Sequence, residues 1–138
     1  MTDIRIAAGP YSMEARLERA AAPDTCAAFE ALLPWESQLV HVRWSGEGVW
    51  IPLGERRFGF GYENHTAHPA PGHFIFYPGG FSETELLLAY GGLSFASKMG
   101  PLSGNHFMTV TKGQEQLMDL GNHVLWKGAT DIRFERMG

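Results

Sequence analysis

The feature that most constrains this chain lies in its first third, where an alternating pattern runs directly into a helical stripe. From Tyr11 to Glu18 the residues alternate, with Tyr11, Met13, Ala15 and Leu17 on one side and Ser12, Glu14, Arg16 and Glu18 on the other. That period of two is a half-buried strand. Gly9-Pro10 just before it supplies a turn by which residues 4–6 pair back as a hairpin partner. At Ala22-Pro23-Asp24-Thr25 the period changes. Pro23 suits the first helical turn, where its missing N–H is no loss, and Asp24 puts negative charge at the positive end of the helix dipole. Cys26, Phe29, Leu32 and Leu33 follow at helical spacing until Pro34 ends the run.

Beyond the helix the chain reads as short strands over 38–44, 48–53, 57–62, 72–77, 83–90 and 105–111, with a closing strand over 131–135. Gly, Pro and Asn cluster between them, as turns require. Ser45-Gly46-Glu47-Gly48 reads as a tight hairpin turn, and the spacing predicts a second short helix over 112–120, ended by Gly121. Many short strands with so few helical stretches make the fold mainly β and favour a barrel over an alternating α/β sheet.

The chain has 138 residues with no linker, repeat or low-complexity segment, and it reads as one domain over 1–138. That size buries a real core without the help of a disulfide or a metal. The single cysteine, Cys26, falls on the helical stripe and is most simply a small buried apolar group. There is no N-terminal targeting pattern and no long apolar run, so the expectation is a cytoplasmic protein with no membrane partner. A formal charge of −4, with Lys and Arg scattered, argues against nucleic acid.

The stretch IRIAAGPYSMEARLERAAAPDTCAAFEALLP resembles the opening of the cyclophilins: a hairpin, a Pro-x-Thr helix start, then a helix carrying a Phe and paired leucines that plugs one end of a barrel. The later segments HVRWSGEGVWIPLG, PGHFIFYPGGFSETELLLAYGG and FASKMGPLSGNHF resemble the bacterial cyclophilin-like proteins of unknown function more than true prolyl isomerases. The resemblance covers most of the chain. It implies a closed or nearly closed barrel of about eight strands with one or two helices, and it implies no established activity.

Chemistry is sought where polar residues interrupt apolar patterns. In LVHVRW, Leu39, His41 and Arg43 share one strand face while Val40, Val42 and Trp44 share the other. If the valine face is the core, His41 and Arg43 point outward or into a groove, an arrangement that an ordinary solvated face explains equally well. The resemblance places Arg43 near the arginine with which cyclophilins stabilise the twisted prolyl amide, against a rotation barrier of roughly 18–20 kcal/mol. Isomerases continue with Phe-Met-x-Gln-Gly-Gly, however, and Trp44-Ser45-Gly46-Glu47-Gly48 stands here instead. The proline socket is missing from the pattern, which leaves prolyl isomerase through Arg43 as the enzyme alternative.

Glu63, His65, His68 and His73 form a second cluster, of residue types that ligate metals. Their spacing inside a Pro- and Ala-rich segment fits exposed loop histidines better than a cupin-type metal barrel, so no metal or other cofactor is assigned. A third cluster surrounds the glycine-flanked strand 83–90. Arg43, Glu83, Tyr90, Lys98, Asn105 and His106 are the candidate ligand-binding residues, on the expectation that several converge on one concavity. Against this, Asn105 also suits a turn-bonding role and His106 a hydrogen-bonded wall. No phosphate loop and no nucleophilic serine context is present. A barrel this small fills its interior with side chains, which sends a ligand to an outer groove or the rim. The expected partner is a small polar molecule or peptide, with room left for a homo-oligomer.

Overall fold

The computed structural model describes residues 3–137. Strands β1 (Ile4–Ala8) and β2 (Tyr11–Leu17) form the opening hairpin, and α1 (Pro23–Glu30) follows. Next come β3 (Trp35–His41), β4 (Gly46–Pro52), β5 (His65–Thr66), β6 (His73–Tyr77) and β7 (Glu85–Leu93). The chain continues through β8 (Ala96–Ser97), β9 (Gly100–Pro101) and β10 (Gly104–Lys112). A 3-10 turn at Gln114–Gln116 then leads into α2 (Leu117–Lys127) and β11 (Thr130–Arg136).

The strand order β2-β1-β11-β3-β4-β7-β6-β10 closes on itself because β10 also pairs with β2, while β5 adds to β10. All of these pairings are antiparallel. The result is a closed barrel of eight strands with one extra strand and two helices. Closure leaves few unpaired sheet edges to template aggregation.

Alternation decides what fills the barrel. Ile4, Ile6 and Ala8 of β1, Met13, Ala15 and Leu17 of β2, and Ile132 and Phe134 of β11 point inward and are buried, and the residues between them, all polar but Ala7, face outward. Helix α1 closes one end. Phe29 is fully buried, 5.1 Å from the Phe107 ring and 5.2 Å from that of Phe134, and Trp35 stacks on Phe134 at 5.5 Å. Trp35, just past the helix, thus belongs to the plug. Cys26 is buried beside it, its Sγ 3.3 Å from the Phe107 carbonyl, and burial pushes its thiol up to about 12, an unreactive group.

Helix α2 covers the other end with Leu117, Leu120 and Val124. Gly121 lies inside this helix and does not end it; Gly128 is the cap residue. A Cβ at Gly121 would lie 2.4 Å from the Tyr90 ring, so glycine is what lets the helix seat on that tyrosine. The helix starts later than expected because β10 runs on to Lys112, where it pairs with Glu14 across a bulge.

Strands β6 and β7 are buried on both faces. Phe74, Phe76, Leu86 and Leu88 join the interior, while Ile75, Tyr77 and Leu87 join a second core with Val42, Phe95 and Leu102 outside the barrel wall. The 93–102 segment, with the small β8–β9 hairpin, covers that outer face.

Three expectations are corrected. Residues 57–62 form no strand: Gly59 takes φ 84°, which extended chain does not adopt, although Phe58 and Phe60 still pack edge-on against Phe76. The β3–β4 turn is made by residues 43–45, starting two residues earlier than Ser45–Gly48, so Arg43 sits on a turn and Gly46 already starts β4. Within β3 the phase is the reverse of the valine-core reading, although Val42, just past the strand, is fully buried in the second core. Leu39 is buried, Val40 is exposed, and His41 is carried on the inner side. Trp44 and Trp126 are exposed, the latter on α2.

Candidate functional site

The largest of the four grooves described here, about 450 Å³, lies on the outside of the wall and is lined by Trp44, Trp50, Ser82, Glu83, Glu85, Ala96, Ser97 and Lys98. Strand alternation builds its floor. On β4, Val49 and Ile51 face the interior, which sends Trp50 outward. On β7, Leu86 and Leu88 face the interior, which sends Glu85 and Leu87 outward. The register sets Trp50 opposite Leu87 and Pro52 opposite Glu85.

The walls are held by hydrogen bonds from neighbouring loops. Ser45 Oγ donates to the Ala96 carbonyl at 3.0 Å and accepts from the Ala96 amide at 3.1 Å, which pins the 43–45 turn to β8. The Trp44 indole N–H donates to the same carbonyl at 3.1 Å, and its ring meets Trp50 edge-on at 5.5 Å. On the other side the Tyr77 hydroxyl accepts from the Phe81 and Ser82 amides, both at 3.1 Å, and Arg57 donates to Thr84 Oγ1 at 2.9 Å. These bonds fix the loop that carries Ser82 and Glu83. A site held this way needs little ordering when a ligand arrives.

One buried acid in the groove is left without a partner. Glu85 is only 5% exposed, and among the described residues its carboxyl has no hydrogen bond or ion pair. Burial, with Glu83 beside it adding like charge, pushes it up to about 8, so it is mostly the neutral acid at pH 7. The Trp50 indole N–H and His41 Nδ1 also have no partner among the described residues, but both atoms are closed off from solvent and so are not open to the groove. Buried polar groups are normally satisfied, and exceptions mark places built for something else. Chemically the groove offers an aromatic wall, an acid able to donate as the neutral form or attract as the anion, and the ammonium of exposed Lys98.

The six candidates from the sequence are not gathered in one place. Glu83 and Lys98 line this groove. Arg43 is exposed on the β3–β4 turn, and none of the grooves described here has it in its wall. Tyr90 points into the α2 end of the barrel, its hydroxyl 2.6 Å from His41 Nε2. Burial, with Arg43 nearby, holds His41 below the usual imidazole range. Glu47 sits by this pair and accepts from the Gly92 amide at 3.0 Å; a Cβ at Gly91 would lie 2.2 Å from its carboxylate. The glycine pair 91–92 thus makes room for a carboxylate clamp inside β7.

Asn105 is fully buried and is a strut. It accepts from the Glu63 amide at 3.0 Å and donates to Thr25 Oγ1 and the Gly61 carbonyl, each at 2.9 Å. Glu63 in turn accepts from the Thr25 amide at 2.7 Å and the Thr25 hydroxyl at 2.8 Å. It caps α1, whose own N-cap residue, Ala22, supplies no side-chain bond.

His106 stacks on His73, rings 4.0 Å apart, and its Nε2 lies 2.8 Å from Thr109 Oγ1, which donates to Glu18 at 2.6 Å. Burial and His73 push His106 down to about 4. This pair lines a shallow groove of about 240 Å³ with His65 and His68. Among the described residues no three His, Cys, Asp or Glu side chains converge as a metal site requires.

Two further grooves each have one ion pair in the wall, Lys112–Glu14 in one and Arg133–Glu36 in the other. Sequence reasoning missed Trp44, Trp50 and Glu85 as partners. The available signal was Glu85, an acid in phase with Leu87 and Ala89 on a strand otherwise apolar throughout. No helix of the described residues is long and apolar enough to cross a membrane.

Set beside known proteins, the chain has no match among the curated ones. Among solved structures it is similar to McbB in complex with tryptophan, with a TM-score of 0.71 and 18% identity. The superposition covers 98% of this chain and 45% of that one, so the chain spans less than half of McbB's length. At that identity the likeness concerns the fold alone. A family model, described as a protein of unknown function, DUF3830, matches residues 4–136. From β1 to the end of β11, then, this chain belongs to the DUF3830 family.

Proposed function

We propose that this barrel binds a small molecule in the outer groove over β4 and β7, and that the molecule has a flat apolar body with ionised ends. The observation that carries this reading is Glu85: a carboxyl buried beside two tryptophans, with no partner among the described residues. Such a group costs stability in the empty protein, a cost that a bound partner offsets. A groove of about 450 Å³ falls within the usual range of small-ligand sites, and its mix of aromatic wall and few polar groups is typical of them. Tryptophan, the ligand in the McbB structure, is a molecule of the kind described here: a flat ring system carrying an ammonium and a carboxylate. In this groove the ring would lie against Trp44 and Trp50, with Glu85 and Lys98 available to its charged ends.

The test is calorimetric titration with L-tryptophan and simpler aromatic amines and acids, on the wild type and on Trp50→Ala. Saturable binding that Trp50→Ala weakens at least about tenfold supports the groove. Binding that is indifferent to Trp50, or no binding across the series, refutes it.

A further inference from the structure

The groove carries groups of both signs, and the question is which end of a ligand it selects. Glu83 and Glu85 sit on one wall two residues apart, with Lys98 as the one cation lining the groove. The three differ in setting. Lys98 is exposed on a turn and already solvated by water, so meeting an anion gains it little. Glu85 is 5% exposed, borders solvent only on its groove side and has no partner among the described residues, so an arriving cation meets a poorly solvated acid with nothing else to pair with. The tryptophans add to the same preference, since the electron-rich faces of indoles attract ammonium groups and repel carboxylates. The charge acting on Glu85 is that of Glu83 from its own segment; Tyr77 of β6 stands opposite it in the register, Arg57 is held at the adjacent Thr84, and Lys98 lines the same groove from the turn after β8. Trp44, Trp50, Ser82 and Ser97 complete the surroundings.

Building on the small-molecule reading above, we propose that the groove selects an organic ammonium, with Glu85 as its counter-ion and the indoles of Trp44 and Trp50 as its apolar wall. Binding has a proton balance. Glu85 is mainly the neutral acid at pH 7. As the ammonium enters, the carboxyl releases its proton to the buffer and the carboxylate pairs with the cation. No other bond forms or breaks.

Phenethylamine, phenylpropionate and L-phenylalanine share one ring and differ in charge. None emits where tryptophan does, so protein fluorescence reports the occupancy of a groove walled by two tryptophans. At pH 7 phenethylamine is expected to bind at least about tenfold more tightly than phenylpropionate. Glu85→Gln should shrink that preference to within about threefold. Titrations of the wild type in buffers of different ionisation heat should show proton release on amine binding. Lys98→Ala, an exposed change that spares the fold, should tighten amine binding further.

Equal affinity for all three probes, or a preference for phenylpropionate, overturns the ammonium assignment while leaving the groove as a binding site. An amine preference that survives Glu85→Gln, or amine binding without proton release, overturns the role of Glu85. If none of the three probes binds, both the assignment and the small-molecule reading fall.

Discussion

Replacing Glu85 by glutamine keeps the shape of the side chain and removes its titration, which isolates the energetic consequence of burying an acid in the β7 wall. An ordinary glutamate ionises near 4.5, as Glu85 does in the unfolded chain, whereas in the folded protein it ionises at about 8. Between those values the folded state holds a proton that the unfolded state has lost. Its stability is therefore greatest below 4.5 and falls as pH rises toward 8. At about 1.4 kcal/mol per pH unit, this interval sets a ceiling of about 5 kcal/mol. The groove side of the carboxyl borders solvent, so an observed loss of about 2–3 kcal/mol is the working expectation.

Denaturant midpoints measured from pH 5 to pH 8.5 read this directly. His106 titrates in the opposite sense: its imidazole, lowered from 6.5 to about 4, favours folding above 6.5 and loses that contribution as pH falls through 4. The difference between wild type and Glu85→Gln cancels that background, because the histidine is common to both. The variant should gain on the wild type steadily as pH rises, and be the more stable protein at pH 8.5. Parallel curves for the two proteins across this range would refute the claim that Glu85 is buried as an acid.

Phe29→Ala should cost about 3–5 kcal/mol, because the ring is fully buried among Phe107, Phe134 and Trp35; an unchanged denaturation midpoint would show that α1 is not the plug. Glu63→Ala should cost about 1–2 kcal/mol through the lost cap of α1, with helical circular dichroism reduced, and Glu63→Gln should recover part of it. Purified protein should show little prolyl isomerase activity on Pro-containing peptides, since Arg43 stands exposed on a turn; a robust rate abolished by Arg43→Ala with the fold intact would reverse this.

The parts of the fold that could be read from the chain are those where one periodicity has one cause. Strand β2 buries one face only, so its alternation is clean, and α1 begins at Pro23 as its residues require. Reading fails where two causes overlap. Residues 57–62 alternate Phe with Gly and so imitate a strand, yet the alternation arises from two rings packing on Phe76 in a segment that joins no sheet. Around the end of β3 the two valines look like one core face, but Val40 is exposed and Val42 is buried in the second core outside the wall, while the inner face carries His41, whose Nε2 meets Tyr90. The hidden term in both cases is a partner distant in sequence.

The same distinction explains the candidate site. Asn105 and Glu63 stand out in the sequence as polar groups near glycines and histidines, and they are spent on each other and on α1, a structural circuit fully satisfied by hydrogen bonds. Glu85 looks less unusual, an acid at the start of a strand, and only the second core reveals what it means. Once Phe95 and Leu102 cover the outer face of β7, a residue at that phase is buried on whichever side it points. Polar residues in this barrel therefore divide by satisfaction and not by rarity. Those with partners hold the barrel together. The Glu85 carboxyl, buried in the groove wall with no partner among the described residues, is where binding a ligand has most free energy to recover.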